Sequence, residues 1–368
     1  MITLIMLTNQ LRNSGPDRVM LDIGSKIDRN KVKPVVIALM QDDPIRPIAS
    51  EFEKADIEIH RFDYSKLQLE LKSRRIRLEL ERYIQSHFKN PIVQAHGYHP
   101  TILTSKMMIP HTATIHCIAS EDFIKSKGRI LGSYMVWRFK HNLKRHNYPI
   151  AISKYMLEYY ASVCDVRLRL IHNGVNFQPK LCDIDKLKRN LNLPLEKKII
   201  VVPGGISKRK NNLHTIEQLI KSGLNNYVCV FLGIGPQLEQ LQTYFGKDHR
   251  FRFEGYKSNV GEYLACADLY ISSSLSEGLP LAALEAVCMG VPSLLSDIPP
   301  HSEIVEIMKY EGVKQFSLQS DMLSELVKIF LISTFNRKGI SDRAIQYFSS
   351  ETMAGKYELL LEDIKNKM

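Results

Sequence analysis

The sequence predicts an α/β protein of two doubly wound, Rossmann-like domains facing each other across a central cleft. Three observations lead there. Short β-branched runs alternate with helical periods along the whole 368 residues, the pattern of parallel sheets covered on both faces. The runs are too many for one sheet, and KKIIVVPGG (197–205) opens a fresh strand–helix series after a polar stretch. The composition, 44% apolar and 24% charged, is that of a soluble globular chain, and no run approaches the ~18 apolar residues that a bilayer span needs.

ITLIML (2–7) is the first strand. Its surroundings lack a basic leader and a small-residue cleavage site, so MITLIMLTNQ reads as buried strand and not as a signal peptide. NQLRNSGPDR is the turn that follows, and VMLDIGSKI the first helix. KPVVIAL (33–39), PIVQAHG (91–97), TATIHC (112–117), YPIAIS (148–153) and LRLIHNG (168–174) continue the first set of strands. VNFQPKLCDIDK (175–186) reads as a linker. The second set is KIIVVPGG (198–205), VCVFLGIG (228–235), RFRFEGY (250–256), LYISSS (269–274) and VPSLLSD (291–297). YFSSETMAGKYELLLEDIKNKM reads as a loop and one terminal helix. Ligands of such sheets bind at the carboxyl ends of the strands, so the cleft is the expected site.

Six cysteines, at 117, 164, 182, 229, 266 and 288, form no CxxC and no Cys/His ligand pattern. They read as reduced, mostly buried thiols of a cytoplasmic protein, and no metal site is expected. Asp183-Ile184-Asp185 has the form of a D-x-D metal motif, but it precedes KLKRNLNL, where helix capping explains it better.

The charge is uneven. The net value is +11, and residues 1–177 hold 27 − 17 = +10 of it. Two segments dominate. SKLQLELKSRRIRLELERYIQSHFK (65–89) carries Lys72, Arg74, Arg75, Arg77 and Arg82. KSKGRILGSYMVWRFKHNLKRHNY (125–148) carries Arg129, Arg138, Lys140, Lys144 and Arg145 beside Trp137, the only tryptophan. Both place apolar residues at helical spacing: Leu69, Ile76, Leu80 and Ile84 in the first, Leu131, Tyr134, Phe139 and Leu143 in the second. Such stretches suit an anionic membrane or partner, and equally a solvated helix face over an ordinary core stripe. No nucleic-acid-binding signature accompanies the charge, so nucleic acid is not an expected partner.

The segment richest in chemistry is SSSLSEGLPLAALEAVCMGVP (272–292). A strand ends in small polar residues, Glu277 and Gly278 follow, and Pro280 suits the first turn of a helix that stops at Gly290. Glu285 lies on that helix. The N–H groups of Leu279, Pro280's successor Leu281 and Ala282 make an exposed helix start, an anion site of the kind phosphates occupy. Ala282, Ala283, Ala286 and Gly290 form a small-residue stripe for close packing. Two carboxylates beside a phosphate cradle make sense if they accept hydrogen bonds from vicinal hydroxyls of a sugar. Cations must then neutralise the phosphates, and PGGISKRKNN (203–212) offers a glycine turn followed by Lys208, Arg209 and Lys210.

Glu277 and Glu285 form the E-x7-E pattern, and here the chain resembles the group 1, family 4-like, retaining glycosyltransferases. AISKYM (151–156) is similar to that family's strand-Ser-helix step, LIHNGVNF (170–177) to its I-P-N-G-V-D entry, and VVPGGISKRKN to its V-G-R-L-x-x-x-K-N phosphate loop. FLGIGP (231–236) resembles G-x-G-P, and FRFEGYKSNVGEYLACADLYISSSLSEG (251–278) resembles the approach to the motif. The likeness covers residues 151–357 strongly and 1–150 weakly. It implies the GT-B fold, with an acceptor-binding domain over residues 1–177, a nucleotide-sugar-binding domain over 178–354, and a terminal helix, 355–368, rejoining the first. It implies transfer of a sugar from a nucleotide donor, UDP before GDP, with retained anomeric configuration and no cofactor.

Carried over residue by residue, Lys210 binds the donor pyrophosphate. The family's usual Arg falls on Gly205, with Gly204 before it, so either Arg209 reaches over from four positions later or the phosphate contact differs. Glu277 contacts the donor sugar, Glu285 the ribose hydroxyls, the Leu279–Leu281 amides the phosphates, and the backbone near Tyr256 the base. Gly15, behind Ser14, matches the first glycine loop, and His116 the active-site histidine of the first domain. The acceptor expected is a polyprenyl-diphosphate-linked glycan of a bacterial surface polysaccharide. Arg74, Arg75, Arg82, Arg138, Lys144 and Arg145 would face it or the inner face of the cytoplasmic membrane.

Plainer readings stand beside these. A hydrogen-bonded core histidine fits His116, and sheet-end packing fits His96. Gly233 and Gly235 suit a strand-end turn as well as a ligand approach. Lys208 fits a solvated cation and Glu303 a surface helix carboxylate. Rival functions are a nucleotide-sugar epimerase or hydrolase on the same fold, and a basic membrane- or nucleic-acid-binding protein without catalysis. A nicotinamide dehydrogenase fits poorly, since LTNQLRNSG lacks G-x-G-x-x-G.

Overall fold

The computed structural model describes residues 1–179 and 182–367, so Lys180 and Leu181 of the expected linker lie outside the described residues. The chain divides into two compact units, Met1–Gly174 with Ser350–Met368, and Val175–Ser349. The sequence reading puts these breaks at 177/178 and 354/355.

The first unit runs β1 (Ile2–Thr8), α1 (Gly15–Lys26), β2 (Val32–Ala38), α2 (Ala49–Lys54), β3 (Glu58–Arg61), α3 (Lys66–Leu71), α4 (Ser73–His87) and β4 (Pro91–His96). It continues with α5 (Tyr98–Thr104), β5 (His111–Ile115), α6 (Ala119–Lys127), α7 (Arg129–Leu143), β6 (Ile150–Ala151), α8 (Lys154–Cys164) and β7 (Arg169–Leu170). Its seven strands lie in the order β3-β2-β1-β4-β5-β6-β7, all parallel. β1 sits between β2 and β4, with Ile5 opposite Val35 and Val93. Its fully buried run explains why the first strand reads as continuous and not alternating. Ile5, Leu7, Val35, Ile37 and Val93 pack with Leu69 of α3 and with Ile76, Leu80 and Ile84 of α4. The first basic segment therefore buries its predicted apolar stripe, as two helices broken at Lys72.

The second unit runs α9 (Ile184–Asn190), β8 (Lys198–Pro203), α10 (Asn212–Lys221), β9 (Tyr227–Leu232), α11 (Leu238–Phe245), β10 (Phe251–Gly255) and α12 (Val260–Cys266). It ends with β11 (Leu269–Ser272), α13 (Leu281–Cys288), β12 (Ser293–Ser296), α14 (Pro299–Met308), β13 (Val313–Phe316), α15 (Met322–Ile332) and α16 (Arg337–Phe348). Six parallel strands take the order β10-β9-β8-β11-β12-β13. Asp183 caps α9, its carboxylate accepting from Lys186 N at 3.0 Å, so the D-x-D pair has the helix-cap role.

Three expectations need correction. β3 and β13 are additional strands at sheet edges, short and with exposed residues that blur the strand pattern. The chain does not loop over Tyr347–Ser350: α16 runs through Phe348, Ser349 is a one-residue extended break, and α17 (Ser350–Asn366) starts at once in the first unit. Pro280 is the N-cap of α13, not a residue of its first turn. Among the described residues, no helix is long and apolar enough to cross a membrane.

Candidate functional site

In the second unit, two loops at the carboxyl edge of the sheet meet. The first leaves β8 through Gly204, whose φ of +131° only glycine takes readily. A Cβ there would lie in ordinary contact with Lys210, 3.4 Å from Cε and 3.5 Å from Nζ. The turn Ser207–Asn211 then delivers Arg209 and Lys210, with Lys210 N bonded to Ser207 O at 3.0 Å. The second loop leaves β11. Leu275 N bonds Arg209 O at 2.8 Å, which locks the two loops together.

This lock brings three charges into contact. Glu277 Oε1 lies 2.7 Å from Lys210 Nζ, and its Oε2 lies 2.7 Å from Arg209 Nη1. The same Arg209 nitrogen donates to Ser276 O at 2.8 Å. The Glu277 side chain is 8% exposed. Burial alone would raise its pKa, but Lys210 and Arg209 outweigh that and hold the carboxyl at about 2. Arg209, four residues after Gly205, thus reaches Glu277 in this structure. Gly205 itself is exposed, and a Cβ on it would meet only Ile234 O at 3.6 Å.

Leu279, Pro280 and Gly278 then turn the chain into α13. No side chain caps this helix, and the first N–H groups to find carbonyls are those of Ala283 and Leu284, both on Pro280 O. The start of α13 therefore keeps donors for a ligand. Glu285 lies one turn in and is half-buried. Tyr256 follows β10 and is exposed.

Gly233 and Gly235 have a packing role. A Cβ on Gly233 would stand 2.0 Å from Gly204 O, and one on Gly235 2.2 Å from Ile206 O. Bonds from Gly204 N to Leu232 O at 2.9 Å and from Ile206 N to Ile234 O at 3.1 Å zip the same loops together. G-x-G here shapes the Lys210 loop from behind.

Sequence reasoning missed His301. It sits fully buried on α14, with Nδ1 2.9 Å from Ser296 Oγ and Nε2 3.4 Å from Ser272 Oγ. Ser296 Oγ spends its proton on Ser274 O at 2.7 Å, so the Nδ1–H is the donor to Ser296 and Nε2 is left as acceptor. Burial pushes His301 down to about 4, while Glu277 pulls it up and Lys210 pushes it down further. A neutral imidazole thus underlies the charged trio. PPHSEIVE gave no hint, because the contact is made across 29 residues from Ser272. Glu303, two residues on, is 8% exposed and not a surface carboxylate.

In the first unit, α1 starts at Gly15 behind Ser14, whose hydroxyl donates to Asp17. Burial lifts the Asp17 carboxyl to about 6, against the pull of Ser14 and Arg12. His116, after β5, shares a hydrogen bond of 2.9 Å with His96, from Nε2 to His96 Nδ1. Burial holds His116 at about 4 and His96 well below its ordinary value. Sheet-end packing therefore describes only part of what His96 does.

The family models agree with one another. "Glycosyl transferases group 1" matches residues 183–346, and "Glycosyltransferase Family 4" matches residues 13–178. The chain is a group 1 glycosyltransferase. A Bacillus subtilis glycosyltransferase named for teichuronic acid biosynthesis, TuaC, is 24% identical over 74% of this chain and 67% of its own. An Escherichia coli UDP-Gal:alpha-D-GlcNAc-diphosphoundecaprenol alpha-1,3-galactosyltransferase is 28% identical over 38% of this chain and 39% of its own. Among solved structures, Anabaena HepE in complex with UDP and glucose superposes with a TM-score of 0.78 at 16% identity, over 98% of this chain and all of that one. The glycosyltransferase has the GT-B fold, built from its two Rossmann-like units.

The cations expected to meet an acceptor or membrane do not all stand free. Arg74, Arg75, Arg82, Lys144 and Arg145 are exposed on the glycosyltransferase. Arg138 is not: it donates to Glu70 of α3, which also accepts from His99 Nε2 at 3.0 Å, and its side chain is 14% exposed. The stripe expected on the second basic segment also splits. Phe139 and Leu143 are buried, whereas Leu131 and Tyr134 are exposed.

Proposed function

We propose that the chain moves a hexose or N-acetylhexosamine from a nucleotide sugar, UDP before other bases, to a lipid-linked saccharide of bacterial surface polysaccharide synthesis. The anomeric configuration is retained, and the enzyme works peripherally on the inner face of the cytoplasmic membrane. The observation that carries this reading is the Glu277–Lys210–Arg209 trio at the uncapped start of α13. An anionic diphosphate needs cations and free amides, and a sugar needs a fixed carboxylate; here they share one edge. The relative that names a diphosphoundecaprenol acceptor and the neighbour bound to UDP and glucose support the substrate classes.

In this reading Lys210 and Arg209 hold the diphosphate, together with the Leu279–Leu281 backbone. Glu277 orients the sugar hydroxyls, Glu285 the ribose, and the backbone near Tyr256 the base. His116 and the Gly15 loop are the first unit's contribution. The bond from the anomeric carbon to the diphosphate breaks with its electron pair going to the leaving oxygen. Lys210, Arg209 and the helix start stabilise that charge. The acceptor hydroxyl attacks the same face and gives its proton to the departing phosphate, so no nucleophilic side chain is needed.

The test is a thermal-shift series with UDP, GDP, ADP and CMP, each with and without sugar. A rise in Tm with the UDP series, lost in Lys210→Ala, is expected. Indifference to every nucleotide of the series would overturn the reading.

A further inference from the structure

The first unit presents an apolar ridge that its own fold leaves uncovered. On α7, Ile130, Tyr134, Trp137 and His141 recur four, three and four residues apart, so they share one helical stripe. All are exposed, Ile130 at 92% and Trp137 at 63%. The opposite side of α7 is the packed one. Gly132, Phe139 and Leu143 are buried there, and a Cβ on Gly132 would come within 2.6 Å of Ile124 Cα. The helix is therefore seated, and its second apolar stripe is surplus to the core. Tyr134 and Trp137 run on as a ladder, with ring centroids 6.2 Å apart, and Trp137 stacks on His141 at 5.8 Å.

A second helix extends the ridge. Glu70 of α3 is gripped by Arg138 of α7, and it is flanked by Leu67 and Leu71, exposed at 67% and 75%. Glu70 also meets His99, whose Nδ1 lies 3.1 Å from Asn9 Oδ1. Asn9 follows β1 and His99 opens α5 just after β4. The ridge is thus moored to the carboxyl edge of the first sheet, the edge at which such sheets hold ligands.

The surrounding charge says what covers it. Lys125–Arg145 holds seven Lys or Arg and no Asp or Glu. Lys125, Lys127 and Arg129 stand exposed at one end of the stripe, and Lys144 and Arg145 at the other. Glu70 is paired with Arg138, and the carboxylates Glu121 and Asp122 lie in the first turn of α6, ahead of the collar. A second copy of the chain would set this cationic collar against itself. A nucleic acid would satisfy the collar but leave the leucines and isoleucine in water. An anionic bilayer satisfies both, taking aromatic and aliphatic tips into its interface and cations at its headgroups.

We propose that the α3–α7 ridge is the surface that docks on anionic lipid, with Trp137, Ile130, Tyr134, Leu67 and Leu71 entering the interface. This deepens the peripheral placement given above and rests on it for its biological setting. It also reassigns the contact from Arg138 and the α4 arginines to the apolar tips of α3 and α7.

Trp137 is the sole tryptophan, so the protein carries its own reporter. The full chain is mixed at low salt with phosphatidylcholine vesicles, with and without phosphatidylglycerol. The emission of Trp137 moves to the blue, and the protein floats, only with the anionic vesicles. Ile130→Ser with Leu71→Ser, which leaves the reporter in place, cuts the floated fraction by about tenfold, with the melting temperature kept. Turnover of a water-soluble, short-chain acceptor stays unchanged in that variant. An unmoved emission with anionic vesicles would overturn the proposal. So would undiminished flotation of the double variant, or a salt-sensitive shift with DNA and none with vesicles. Failure of the transfer reading would show separately, as no turnover of any acceptor while vesicle binding persists.

Discussion

Glu277 and Lys210 stand 2.7 Å apart, a carboxylate and an ammonium joined across the gap between two loops that follow different strands. With Arg209 on its other oxygen, Glu277 occupies the cations that an incoming diphosphate needs. Glu277→Ala should therefore leave UDP affinity intact or tighter, while lowering kcat by about a hundredfold, as removal of a preorganised polar contact does. Glu285→Ala should do the reverse, weakening UDP binding by about tenfold with a smaller effect on kcat. Calorimetric titration with UDP and steady-state rates separate the two; equal losses of affinity in both variants would refute the division of labour.

Much of the second unit was readable because β-branched runs and glycine turns are local signals. The charge trio was assembled from a resemblance, since nothing local says that residue 277 meets residue 210. The exposed stripe of α7 was invisible for another reason. Leu131, Tyr134, Phe139 and Leu143 all fit a helix with apolar residues on two sides, and periodicity cannot say which side is packed. The close approach of Gly132 to Ile124 decides it, and that approach is tertiary. Arg138 looked like a surface cation because its partner, Glu70, lies 68 residues away.

The G-x-G pair gives a test of packing against ligand contact. Gly233→Ala drives a methyl into Gly204 O, at 2.0 Å, and should destabilise the protein by about 2–4 kcal/mol. Gly205→Ala has room and ordinary φ, and should melt with the wild type. Urea unfolding of both variants without nucleotide is the measurement. Equal stability of Gly233→Ala would mean that the loop behind Lys210 yields.

Acid stability should fall in two windows. His116 and His301 are held neutral by burial, at about 4, below the ordinary 6.5. The unfolded chain binds their protons first, so their stabilisation is complete above pH 6.5 and drains as pH falls toward 4. For His301 the loss by about pH 5 is on the order of 2 kcal/mol. Glu277 acts lower: its carboxyl is depressed from 4.5 to about 2, so its contribution is present above 4.5 and lost below it. Urea midpoints across this range should show the upper slope reduced in His301→Gln and the lower slope reduced in Glu277→Gln. Parallel curves for all three proteins would contradict the assignments.

His96 and His116 supply the last prediction. One hydrogen lies between His96 Nδ1 and His116 Nε2, at 2.9 Å, and both rings are neutral. Whichever ring donates, the pair fixes the tautomer of His116 and hence whether its Nδ1 is an acceptor or a donor. His96→Asn keeps a polar group near the Nδ1 position, whereas His96→Leu removes it and leaves His116 Nε2 without that partner. If His116 needs its tautomer, Asn retains most of kcat and Leu loses about tenfold or more, at matched melting temperature. Equal rates for the two variants would reduce His96 to packing at the end of β4.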